Sequence, residues 1–280
     1  MGHLADKGEF NLPAWLRVIC YILAASFFTF LFYLPFLAIL DVEKKNIYEV
    51  ILSQTLLLFG FASAGYLFYK NVEGYRALPR YMVWDKRFFI WGLEYGFIFI
   101  SVCGAIMVGA NILSFQFNRF YFDLALYFVL MLLVSLTEEL AFRGYVLHTL
   151  GSSYGRLIGI LGSSLLFSLL HLANDNITII GFISIYLFGV LAALLFYRFS
   201  SLWAPIGVHL TWNYTQGSIL GFAVSGNERA GIFEIVTHTE SDHLTGGAFG
   251  MEGSVFLSAL LLVAIGREYQ LHLTASRRDT

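Results

Sequence analysis

The segment "SLTEELAFRGYV", residues 135–146, sets Glu138, Glu139 and Arg143 into a run that is otherwise apolar, directly after "YFDLALYFVLMLLV". Two further apolar runs carry groups of the same kind. "FSLLHLAND" holds Phe167 and His171, and "VHLTWNYTQG" holds His209 and Asn213. Carboxylates and imidazoles are the usual means of activating water, with or without a metal ion. An ionised side chain at bilayer depth costs about 2.5–3.5 kcal/mol on insertion scales. Such residues therefore face a bundle interior, pair with one another or serve a function.

Helical geometry separates the two glutamates. Glu139 and Arg143 stand four residues apart, so they share a face and can neutralise each other. Glu138 lies about 140° around the helix from Arg143, which leaves it free for chemistry. The spacing predicts Glu139 and Arg143 as support and Glu138 as a general base. His209 and Asn213 also share one face. Asn174 and Asp175 read as a helix-ending turn, with orientation of the His171 ring as the alternative role for Asp175.

The elements that must carry these groups are membrane-spanning. The chain is 58% hydrophobic and 13% charged, against roughly 25% charged in a soluble domain. A spanning helix needs about 20 mostly apolar residues. Eight stretches qualify as candidates: 14–40, 48–69, 88–113, 121–148, 156–173, 177–197, 201–223 and 254–266. The expected fold is all-α, a polytopic transmembrane bundle of about eight spans in one membrane domain (1–280), with a polar cavity inside. The first run is too long for a signal-peptide core and reads as a retained helix.

With eight spans, Lys7, Arg17, Lys70, Arg76, Arg80, Lys86, Arg87, Arg156, Arg198, Arg267, Arg277 and Arg278 share one side, against Lys44, Lys45, Arg119 and Arg229 on the other. That bias predicts both termini in the cytoplasm. A net charge of −2 gives no global attraction to nucleic acid or anionic lipid. Cys20 and Cys103 lie in apolar runs and read as small hydrophobes. The basic, aromatic "NVEGYRALPRYMVWDK" reads as an interfacial anchor. His148 reads as interfacial too. The longest loop on the far side, 224–253, carries His238 and His243 among acidic residues, where both are expected in solvent.

Glu-Glu-x-x-x-Arg (Glu138, Glu139, Arg143), Phe-x-x-x-His (Phe167, His171) and His-x-x-x-Asn (His209, Asn213), in this order on three spans, resemble the CAAX-protease and bacteriocin-processing family of intramembrane proteases, which includes the Ras-converting CAAX endoprotease. The glycine-rich "LTGGAFGMEGS" also looks like bacterial members, and the resemblance covers roughly 121–260. It implies an endopeptidase in which Glu138 activates water with help from His171, while His209 and Asn213 steady the oxyanion or help to bind a metal. Phe167 packs near the site. Glu138, His171 and His209 are the donors available to a zinc ion, and a metal-free glutamate mechanism is equally open. No His-Glu-x-x-His is present. The implied partners are the bilayer and a membrane-associated protein or peptide substrate, not nucleic acid. The implied location is a bacterial plasma membrane. A non-catalytic scaffold or bacteriocin self-immunity protein is the competing class. A proton-coupled transporter is another, but it predicts inverted repeats and broken helices.

By these span boundaries His171 falls near the far end of its helix, Glu138 two-thirds through its own, and His209 a few turns from the cytoplasmic side. Shifted or tilted helices are needed to bring them together.

Overall fold

A computed structural model describes residues 12–36, 46–120, 122–228 and 231–276, with the side chains of 272–276 not described. Lys7, Lys44, Lys45, Arg229, Arg277, Arg278 and the 37–40 end of the first expected span lie outside the described residues.

Ten α-helices and two short strands are described: α1 (Ala14–Tyr33), α2 (Ile47–Asn71), α3 (Lys86–Gly109), β1 (Leu113–Phe117), α4 (Leu124–Glu139), α5 (Leu147–Tyr154), α6 (Arg156–Leu170), α7 (Ile179–Phe199), α8 (Trp203–Tyr214), β2 (Phe233–Thr237), α9 (Asp242–Thr245) and α10 (Val255–Ser276). Wide π-helical turns join α4 to α5 at Leu140–Val146 and extend α8 at Thr215–Ile219. Among the described residues, six helical segments are long and apolar enough to cross a membrane by length and composition. With large apolar side chains such as Leu23, Phe27, Phe59, Ile98 and Leu165 exposed on their outer faces, they make a multi-pass membrane bundle.

α8 is shorter than expected and lies inside the bundle, with His209, Leu210 and Trp212 buried. The last helix is longer than the 254–266 read from the sequence. The third span is shorter than the expected 88–113 at its C-terminal end. α3 ends at Gly109, Asn111 takes a left-handed φ of 57°, and "LSFQF" becomes β1. β1 pairs antiparallel with β2, from Leu113 opposite Thr237 to Phe117 opposite Phe233. His238, just past β2, is not simply solvated. Its Nδ1 meets Asn111 Oδ1 at 3.0 Å and its Nε2 meets Ser114 Oγ at 3.1 Å, which closes this small sheet onto the end of α3.

Glycine sets the closest helix approach. Gly92 and Gly96 of α3 face α8, and a Cβ on either would collide with α8: with the Ala204 carbonyl oxygen, or with Val208 O and Thr211 Oγ1. Removing those methyl groups lets the two backbones nearly touch, as small residues do in membranes. Thr211 Oγ1 donates to Leu93 O at 2.9 Å across that contact. α8, and with it His209, is therefore held in register by α3.

The loop between α2 and α3 does more than lie at an interface. Tyr69, in the last turn of α2, and Tyr81, in the loop, both donate to Gly144 O, at 2.6 and 3.2 Å. Tyr81 O accepts from Leu202 N at 2.9 Å, and Met82 O accepts from Trp203 Nε1 at 3.2 Å. Tyr75 OH meets His148 Nε2 at 2.6 Å. Gly144 and Trp203 thus sit at one level, pinned by the same loop. Glu138 precedes Gly144 by as many residues as His209 follows Trp203, so both lie equally deep. Glu138 and His171 stand nearly equal distances on either side of the Gly155 turn. The apparent mismatch in depth arose from span boundaries that ignored how far α5 and the start of α6 project past this level.

Candidate active site

The π-helical turn is built around Arg143. Its guanidinium is 1% exposed, and its Nη1 donates to Glu139 Oε1 at 2.9 Å. Nη2 reaches Gly189 O on α7 at 3.4 Å. The cation lies 4.6 Å from the Phe167 ring centroid and 5.9 Å from that of Phe188, a favourable geometry for a desolvated guanidinium. Phe167 is more than filler. Its ring bridges Arg143 and His171, the latter at a centroid distance of 4.6 Å.

Each histidine is oriented through its Nδ1. His171, at the C-terminal end of α6, places Nδ1 2.8 Å from Phe167 O. A carbonyl only accepts, so Nδ1 carries the hydrogen. Asp175 is not part of this bond; it lies in the turn after α6. His209 places Nδ1 2.9 Å from Glu139 Oε1, the oxygen that also accepts from Arg143. In the neutral form of each ring, the opposite nitrogen, Nε2, is then left as an acceptor.

Both Nε2 atoms face Glu138. The distance to Glu138 Oε2 is 4.0 Å from His171 and 3.7 Å from His209. These separations are too long for direct hydrogen bonds and fall in the range that a bridging water spans. Glu138 Oε2 is buried with no hydrogen-bond partner among the described residues, although the side chain as a whole is 27% exposed. Three basic atoms therefore converge with none of their capacity used on one another.

They converge on a cavity of about 290 Å³. Glu138, His171, His209 and Asn213 line it, with Phe167, Phe188 and Trp212 behind them. Val50 and Gln54 of α2 and Leu130, Met131 and Val134 of α4 form a second, mostly apolar wall. A third wall comes from Asn174, Ser225, Asn227 and Glu252. Gln54, Ser225 and Glu252 escaped the sequence reading. Glu252 was visible only as a lone carboxylate in a glycine-rich apolar loop, and Gln54 as a lone amide in an apolar span.

Glu138, His171 and His209 are the donors that a zinc ion would need. Tetrahedral zinc with bonds of about 2.0–2.1 Å needs ligand atoms roughly 3.3 Å apart. The separations of 3.7 and 4.0 Å are wider, and among the described residues no three His, Cys, Asp or Glu side chains form a group able to hold a metal ion. That includes the loop around His238 and His243. The residues as placed do not fit a closed metal site.

Residues 120–215 match the family model described as Rce1-like, type II CAAX prenyl endopeptidase Rce1-like. The matched segment is about a third of the chain and contains every motif residue from Glu138 to Asn213. Comparisons with curated proteins and with solved structures find no match. On that match, residues 120–215 of this multi-pass membrane protein are similar to the type II CAAX prenyl endopeptidase (Rce1-like) family, whose model describes a protease.

Proposed function

We propose that the protein is an intramembrane endopeptidase that hydrolyses a peptide bond with water activated by Glu138. One observation carries this reading. The unpartnered Glu138 Oε2 faces the acceptor nitrogens of His171 and His209 across water-sized gaps inside a lined cavity.

A water there gives one hydrogen bond to Glu138 Oε2 and the other to His171 Nε2. As its oxygen attacks the scissile carbonyl carbon, Glu138 takes the proton. General-base help of this kind contributes about 10²–10⁴-fold. The carbonyl π pair moves to oxygen, giving a tetrahedral intermediate. The Asn213 amide is the neutral donor available to that oxyanion, and His209 joins it when its ring carries both protons. Collapse expels the amine, which takes the proton held by Glu138. Glu139, Arg143 and Phe167 act by orienting the two rings and offsetting charge.

The test compares purified wild type with Glu138→Ala on membrane-tethered and farnesylated peptides. Cleavage by wild type and its loss in an equally folded variant support the reading. No cleavage of any peptide, or full cleavage by the variant, sinks it.

A further inference from the structure

The same cavity has an acidic wall that the proposed chemistry does not use. Glu252 lies in the turn Met251–Gly253 just before α10 and is 5% exposed. Its Oε2 accepts from Gln216 Nε2 at 2.7 Å and from Ser225 N at 3.0 Å, and its Oε1 accepts from Ser225 Oγ at 3.2 Å. All three donors are neutral. Among the described residues no Lys, Arg or His pairs with Glu252; the ion pairs lie elsewhere.

Two further features hold this wall in place. Gln216 Nε2 is committed to Glu252 and to Ala223 O, the latter at 2.8 Å. Gln216 Oε1 is thereby turned away and stays buried with no partner. Ser225, in a left-handed conformation at φ 48°, is gripped from both sides. Glu252 takes its N–H and hydroxyl, while Asn174 Nδ2 donates to its carbonyl at 3.0 Å. A buried charge without a counter-ion is costly. A ligand cation entering the cavity removes that cost, and burial lifts the Glu252 carboxyl above the usual carboxylate range for the same reason.

We propose that Glu252 is a subsite for a positively charged group of the peptide substrate, a lysine or arginine side chain or an N-terminal ammonium. This rests on the peptide-hydrolase reading and makes the enzyme selective for a basic group near the bond that is cut.

Retention of peptides by the full chain in nanodiscs tests it, read by mass spectrometry. The probes are randomised dodecamers with one fixed lysine and the same dodecamers with norleucine there, each with a free or acetylated N-terminus. Wild type is expected to retain a cationic form over its neutral counterpart on the order of tenfold; the acetylated arm tells side chain from terminus. Glu252→Gln is expected to erase the ratio while retaining norleucine peptides as wild type does. If that variant also loses neutral peptides, Glu252→Asp, which keeps the charge, must keep the ratio. Equal retention by wild type, an intact ratio in Glu252→Gln, or loss in both variants overturns the subsite. Retention needs no hydrolysis. Charge-selective retention without cleavage sinks the hydrolase alone, and cleavage without charge selection sinks the subsite alone.

Discussion

His209 Nδ1 donates to Glu139 Oε1 at 2.9 Å, joining two residues on helices far apart in the sequence. The same oxygen accepts from Arg143, so one carboxylate both counters a buried cation and fixes a ring. Glu139→Gln is expected to damage two things together. It leaves Arg143 buried without a counter-charge, which costs about 3–5 kcal/mol, and it frees His209 to turn, which costs about 10–100-fold in kcat. Glu138→Gln is expected to lower kcat further with no loss of melting temperature, because Glu138 Oε2 has no partner to lose. Melting curves and initial rates on both variants check this. A stable Glu139→Gln, or an active Glu138→Gln, contradicts it.

Local geometry was legible because a helix has a fixed period. The Glu139–Arg143 pair and the outward turn of Glu138 follow from counting residues, and the structure contains that pair. The convergence with His171 and His209 was expected from the need for partners and from the family resemblance. Its register depends on the Tyr81 loop and the Gly92–Gly96 contact, which no period encodes. The π-helical turn follows from how Arg143 is met by Gly189 on another helix. β1 was lost inside a long apolar run, where alternation and helical period cannot be told apart over five residues. Glu252 gained its place from Gln216 and Ser225, contacts that only the folded loop makes.

Metal removal is expected to leave cleavage unchanged. The Glu138, His171 and His209 atoms are spaced wider than tetrahedral zinc ligation requires. Dialysis against a strong chelator, with metal content measured before and after, is the check. A protein purified with about one zinc per chain, inactive without it and restored by adding it back, would show that the three side chains close onto an ion.

Gly92→Ala is expected to harm the site from a distance. The added methyl meets the Ala204 carbonyl, and α8 must move away, carrying His209 and Asn213 with it. Overpacking of this kind costs about 1–3 kcal/mol. Gly109→Ala at the end of the same helix is the control, since a methyl there meets nothing within 4 Å. It is expected to hold or raise the melting temperature. Equal behaviour of the two variants, in rate and in melting temperature, would mean that the α3–α8 contact does not set the position of His209.

The buried carboxyl of Glu252, outside the spanning helices, makes a signed prediction about pH. Its pKa in the folded protein is raised by burial, so the folded state holds this proton more tightly than the unfolded chain, where a glutamate titrates near 4.3. Where the folded state binds more protons, stability falls as pH rises. The wild type therefore loses this contribution as pH climbs from the unfolded value through the raised one, and no more above it. Glu252→Gln removes that slope and keeps the hydrogen bonds. Its oxygen can accept from Gln216 and Ser225 N, and its amide can donate to Ser225 Oγ. The melting temperature of the variant minus that of wild type is expected to grow from acid to neutral pH, with every other titrating group cancelling in the difference. A difference that stays flat, or that shrinks with pH, would mean that the Glu252 carboxylate is already matched by a counter-charge, and the cationic subsite would lose its physical basis.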